Sequence, residues 1–119
     1  MPDTWTWIEY WKGNDQVRPF FEGPHTRMTS MITIAELERF HGADRDRMDR
    51  MVASIRSRSL LVPVDLEIAR TAGRVRRTMK EGGIADAIIY ATARIYHAKV
   101  VTGDPHFRSL AEVIFMENE

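Results

Sequence analysis

Four carboxylates stand far apart in the chain yet in matching local settings. Asp3, Glu36, Asp86 and Asp104 each fall just after a stretch that reads as a strand, or in the first turn of one that reads as a helix. Gathered in one crevice they would repel strongly at low dielectric, and the common remedies are raised pKa values or bound cations. Their hard oxygens suit Mg²⁺ or Mn²⁺ better than zinc. Each acid also has a plain structural reading. Glu36 completes the capping box Thr33-Ile-Ala-Glu36. Asp104 ahead of Pro105 makes a good N-cap. Asp86 opens a buried helix, where it must be capping or ligated, and Asp3 defaults to a surface acid. Other chemistries lack their residues. There is no cysteine, which removes disulfides, thiolate zinc and cysteine nucleophiles together. His25, His41, His97 and His106 show neither HExxH nor His-x₃-His spacing. No GxxxxGK[ST], GxGxxG or GxSxG motif is present, so nucleotide hydrolysis, dinucleotide binding and serine catalysis have no support.

The elements that must carry these acids follow from periodicity and punctuation. Trp5 to Lys12 reads as a strand end running into a helix closed by Gly13-Asn14, and a short helix over Asp15 to Glu22 is stopped by Gly23-Pro24. Arg27 to Met31 is a short strand, and the capping box predicts a helix from about Ile34 to His41. Met48, Met51, Val52 and Ile55 share one helix face. After an apolar strand over Leu60 to Val64, Asp65 caps a helix whose buried stripe is Ile68, Ala72, Val75 and Met79, ending at Gly82-Gly83. Ala85 to Tyr96 is apolar all round, which implies a helix buried between other elements. Lys99 to Thr102 and Val113 to Met116 are the last strands, with a short helix opening at Asp104-Pro105 between them. Strands alternating with helices argue for a parallel sheet with helices on both faces. The site of such a sheet lies beyond the carboxyl ends of its strands.

At 119 residues the chain is one domain's worth, and 44% hydrophobic with 29% charged residues is ordinary for a globular protein. Asp3, Glu9 and Lys12 interrupt any leader-like apolar run, and no run approaches the roughly 18 residues that span a bilayer. The expectation is a cytoplasmic protein. Seventeen basic and seventeen acidic residues cancel, so attraction to a polyanion must come from local asymmetry. Arg70, Arg74 and Arg77, with Lys80, offer such a stripe for a phosphate backbone, although a solvated helix face has the same pattern. Trp5, Trp7, Tyr10 and Trp11 suit either base stacking or core and interface packing.

Taken with their neighbours, the acids form four motifs. These are Asp3-Thr4, Thr29-Ser-Met-Ile-Thr-Ile-Ala-Glu36-Leu, Ile84-Ala-Asp86-Ala-Ile-Ile-Tyr-Ala-Thr-Ala93 and Val100-Val-Thr-Gly-Asp104-Pro-His-Phe107. In order and approximate spacing they resemble the acidic motifs of PIN domains, over essentially the whole chain. The resemblance implies an α/β fold: one doubly wound domain over 1–119, with a central parallel sheet in order 3-2-1-4-5 and helices on both faces. It also implies Mg²⁺ or Mn²⁺ held by Asp3, Glu36, Asp86 and Asp104, and hydrolysis of RNA phosphodiester bonds. Thr4 and Thr102 would orient these carboxylates. In this size class the resemblance extends to VapC-type toxins of VapBC toxin–antitoxin pairs. Such toxins usually form homodimers and are silenced by a VapB-type antitoxin that pushes a basic side chain into the acidic pocket.

Three departures from the family pattern stand out. Only Met1 and Pro2 precede Asp3, where members carry several apolar residues, so either the true start lies upstream or the first strand is truncated and Asp3 is held loosely. Trp5 replaces a small polar residue, and His106 stands where some members have a further acid. Two rival readings remain. A phospho-acceptor receiver domain shares the size and architecture, and Asp65 after Pro63-Val64 could serve as its acceptor, but its adjacent acidic pair and late lysine are missing. A non-catalytic PIN-like module binding RNA or a partner fits the shortened first strand.

Overall fold

In the computed structural model, which describes residues 1–117, a helix starts as soon as the first acid has been passed. Helix α1 (Thr4–Trp11) is N-capped by Asp3, whose carboxylate accepts from the Thr6 N–H. The strand end expected at Trp5 is therefore helical, because the Asp3 cap turns the chain two residues earlier. The segment ahead of Asp3 forms a single parallel bridge, between Pro2 and Val101. Val101 N donates to Met1 O at 2.8 Å and Asp3 N to Val101 O at 3.3 Å on either side of it.

Helix α2 (Pro19–Glu22) is shorter than the expected Asp15–Glu22, since Pro19 sets the start as a preorganised first residue. Strand β1 (Met28–Ser30) runs directly into α3 (Met31–His41). The cap of α3 is Ser30, which accepts from Ile32 N, and not Thr33. Thr33 lies buried inside the first turn, so the capping-box reading of Glu36 is overturned and its carboxylate is free for other partners. Helix α4 (Arg45–Arg58), capped by Asp44, leads to β2 (Leu60–Val62), where Pro63 ends the pairing for want of an N–H. Helix α5 (Leu66–Thr78) is capped by Asp65 as expected but stops at Met79, ahead of the glycine pair. Helix α6 (Ile84–Ile95) buries Ala87, Ile89, Tyr90, Ala91, Thr92 and Ala93. Strand β3 (Val100–Thr102), a 3₁₀ turn over Pro105–Phe107 and β4 (Val113–Phe115) complete the described chain.

Both β1 with β2 and β3 with β4 pair in parallel. The expected order 3-2-1-4-5 would join them through the first strand into one sheet; among the described residues they form two two-stranded sheets instead. The segment ahead of Asp3 bridges Val101 on one side and forms no ladder with β1 on the other. A side-chain link stands in its place, with the Trp7 indole donating to Thr29 Oγ1 at 3.1 Å. One apolar cluster, built on Trp7, Val17, Phe21, Leu37, Met48 and Ile55, unites α1 to α4. Ile89, Tyr90, Ala93, Val100 and Phe107 form another between α6 and β3. Ala72, Met79, Ala87 and Ala91 pack α5 closely on α6, small residues permitting the approach. No helix among the described residues is long and apolar enough to cross a membrane.

Candidate metal centre

The carboxyl ends of β1 and β3, with the starts of α1, α3 and α6, bring the four acids to one rim. Asp3 lies deepest, 2% exposed. Its Oδ1 accepts from Thr6 N at 2.9 Å and sits 2.8 Å from Thr6 Oγ1; its Oδ2 accepts from the Thr102 hydroxyl. Thr6 Oγ1 is also within hydrogen-bond reach of Val101 O. A hydroxyl has one proton, and Val101 O can only accept. With Thr6 donating to Val101, the Asp3–Thr6 contact is satisfied when Asp3 itself carries a proton. Burial pushes the Asp3 carboxyl up to about 7, against the hydrogen bonds from Thr102 and Thr6, and the nearby Asp104 charge adds to the rise.

Glu36 is half-buried on α3. Thr4 Oγ1 donates to its Oε1 at 2.6 Å, with Thr33 Oγ1 3.1 Å from the Thr4 oxygen. Burial raises the Glu36 pKa, opposed by the Thr4 hydrogen bond and Arg39, while the charges of Asp86 and Asp104 raise it further. That mutual influence puts Glu36, Asp86 and Asp104 in one electrostatic group.

Asp86 sits at the third position of α6, where its Oδ2 accepts from Gly83 N at 3.2 Å. Gly82 adopts φ +95°, and a Cβ there would come within 2.7 Å of Asp86 Oδ2, so the glycine both makes the turn and leaves room for the carboxylate. Asp104 caps the 3₁₀ turn through His106 N at 3.0 Å, and Asp104 N donates to Thr102 Oγ1 at 2.9 Å. Thr102 thereby links the buried acid to the open one. Buried Gly103, between them, lies under the Trp5 indole, whose atoms would come within 2.3–2.8 Å of a Cβ at that position.

His106 joins the acids. Its Nδ1 lies 3.0 Å from Asp86 Oδ2 and 3.4 Å from Asp104 Oδ1. The ligand atoms of Asp86, Asp104 and His106 all fall within 4.8 Å of one another, a donor set able to hold a divalent cation. Asp3, expected as an equal member, is not one of the three, because both its oxygens are turned inward to hydroxyl and amide donors. The sequence marks His106 as the occupant of a position that is acidic in some family members, but not as a ligand. The signal lay in the mixed spacing Asp104-Pro105-His106, in which the capped turn points residue 106 back at its own cap. Thr6, the second hydroxyl on Asp3, was missed as well. Arg70 and Arg74 line a shallow cleft of about 340 Å³ with Leu66 and Glu67 on α5, and Arg74 reaches Thr71 Oγ1; Arg77 is exposed further along the helix. The cleft that adjoins the metal centre, about 230 Å³, is lined instead by Lys80, His106, Arg108 and Ser109 among others.

Residues 1–113 match the family model described as PIN domain. A search of curated proteins gave no match. Among solved structures, the chain is similar to the DNA-bound VapBC from Salmonella typhimurium, at 25% identity and a TM-score of 0.76, covering 98% of this chain and 95% of that one. VapBC2 from Rickettsia felis, bound to a DNA fragment from its promoter, is 19% identical with a TM-score of 0.79, over 98% and 96% of the two chains. A toxin–antitoxin complex from Klebsiella pneumoniae is 23% identical with a TM-score of 0.70, over 95% and 93%.

Proposed function

Since the chain belongs to the PIN-domain family, whose members are generally nucleases, we propose that it is a Mg²⁺- or Mn²⁺-dependent endoribonuclease. It cuts RNA phosphodiester bonds at the carboxylate rim, as the toxin of a cytoplasmic VapBC-type pair. The observation that carries the reading is the convergence of Asp86, Asp104 and His106 within 4.8 Å, with Glu36 close enough to feel both aspartates. Asp86 and Asp104 would hold the ion, with Glu36 completing the set directly or through water and Asp3, its oxygens already taken, acting behind Asp104 through Thr102. When bound, such an ion withdraws charge from the scissile phosphate and makes water a nucleophile at neutral pH. The protein's own residues do the positioning. Thr4 orients Glu36, and the Asp3–Thr102 hydrogen bond fixes the turn that presents Asp104. Lys80 beside the centre, with Arg70, Arg74 and Arg77 along α5, supplies positive charge for the RNA backbone.

The partner reading rests on the solved neighbours, which are toxin–antitoxin complexes: a VapB-type antitoxin and a second copy would cover the exposed Phe40, Leu60, Leu66 and Ile84. The saturation of Asp3 favours one other reading, a PIN-like module that binds RNA or a partner without cutting. Titration of the metal-free protein separates the two. The nuclease binds Mn²⁺ or Mg²⁺, cleaves RNA only with the ion, and loses both properties in Asp104→Asn. A parent protein with neither property leaves the binding module.

A further inference from the structure

We propose that His106 coordinates the same cation as Asp86 and Asp104, so that this site prefers a first-row transition ion such as Mn²⁺ over Mg²⁺. The proposal rests on the metal-dependent reading above and deepens it by naming the kind of ion. The geometry comes first. An octahedral ion with bonds of about 2.1–2.2 Å sets neighbouring ligands about 3 Å apart and opposite ones a little over 4 Å apart. His106 Nδ1 stands 3.0 Å from one aspartate oxygen and 3.4 Å from the other, and the three donor atoms all lie within 4.8 Å. The ring nitrogen, hydrogen-bonded to Asp86 in the metal-free protein, thus stands at an edge separation from both carboxylates at once.

The arrangement is also tethered. His106 is two residues beyond Asp104, on a turn closed by its own N–H to that carboxylate and stiffened by Pro105. Asp86 is held from the other side by Gly83 N, beneath a glycine whose missing Cβ leaves its oxygen clear. Neither donor has to travel.

The chemistry follows from the donor types. Mg²⁺ favours oxygen ligands and near-ideal octahedra, whereas imidazole suits the first-row transition ions. One nitrogen among carboxylates therefore shifts selectivity toward Mn²⁺ without excluding a hard ion from the remaining oxygens.

The experiment is pulsed electron paramagnetic resonance of the full chain loaded with Mn²⁺, read for ¹⁴N modulation, together with displacement of bound Mn²⁺ by Mg²⁺. Parent protein is expected to show nitrogen coupling that disappears in His106→Ala and His106→Asp. In His106→Asp, whose site is all oxygen, the Mn²⁺-over-Mg²⁺ preference is expected to fall by about 10-fold or more. Mn²⁺ bound without nitrogen coupling overturns the His106 assignment and leaves the nuclease reading standing, as does coupling that survives His106→Ala. A parent protein that binds no Mn²⁺ overturns both.

Discussion

Asp3 and Asp86 belong to the same rim and are held in opposite ways. Asp3 is 2% exposed, with a backbone amide and two threonine hydroxyls closing around its oxygens and its pKa pushed up to about 7 by burial. Asp86 has a side chain 16% exposed, Asp104 28% and His106 45%, and the partners of the two aspartates are a glycine amide, a turn amide and a shared imidazole. The inner half is dry and already satisfied; the outer half is open and short of donors. A carboxylate with its own donors gains little from an ion, while one facing another across a few ångströms of open cleft gains much. On the proposed reading the inner half is scaffold and the outer half is where the cation would bind.

The sharpest way to break this division is Asp86→Asn. It keeps shape and the Gly83 contact but removes charge from the open half. Cleavage is expected to fall by more than about 100-fold, beyond the cost of losing an outer hydrogen-bond partner, while thermal stability changes by no more than about 0.5 kcal/mol. RNA cleavage at the parental rate by a folded Asp86→Asn protein sinks the assignment.

The inner half is probed by pH. A carboxyl whose folded pKa lies above its unfolded value favours the folded state most when protonated. The Asp3 contribution is thus fully present below the ordinary aspartate value of 3.8 and is lost as pH rises through about 7. At about 1.4 kcal/mol per decade, the whole span amounts to about 4 kcal/mol, an upper figure for the metal-free protein. Asp3→Asn, neutral at every pH and still a good N-cap, is expected to remove that slope in denaturant unfolding measured from pH 4 to 8. An unchanged slope means Asp3 is ionised and stable in its pocket.

Between the halves lies Gly103, and Gly103→Ala is expected to cost about 1–3 kcal/mol by overpacking, because the added methyl meets the Trp5 indole. Displacement of the adjoining Asp104 should lower metal affinity as well. Trp5→Ala removes packing of its own, so the double variant is expected to lose less stability than the two single losses added together, and strict additivity places the strain elsewhere.

How much of this could be read in advance divides along the same line. Asp65 and the all-round apolar run of α6 announced their elements because local chemistry decided them, whereas the strand expected over Leu60 to Val64 stops at Val62, ahead of Pro63. Glu36 misled for an instructive reason. Thr33-Ile-Ala-Glu36 satisfies the capping pattern, but Ser30, at the end of β1, takes the cap first, and which residue wins depends on where the strand stops. Of the sheet order expected from the family pattern, the β1–β2 and β3–β4 pairs and the Pro2–Val101 bridge are present among the described residues, while a side-chain contact and not a ladder joins the two pairs. In the site, the acids were visible as motifs, whereas the exposure that separates Asp3 from Asp86 is a tertiary property and left no local mark. His106 was legible only as a partner of Asp104, through a turn whose closure a sequence pattern does not show.

Glu36 is the acid that tests whether the division is sharp. It is half-buried, with one hydroxyl donor at 2.6 Å, and the outer aspartates raise its pKa. If it belongs with the outer half, it turns toward the cation and Thr4 merely aims it. Thr4→Val removes the hydroxyl at nearly constant volume and leaves α1 capped by Asp3. Metal affinity is then expected to fall by about 10-fold, the lower end for losing a group that orients a ligand, with stability changed by about 1 kcal/mol or less. The reverse pattern, a clear loss of stability at unchanged affinity in a Mn²⁺ titration, places Glu36 with Asp3 as part of the scaffold. The cation would then be held by Asp86, Asp104 and His106 alone.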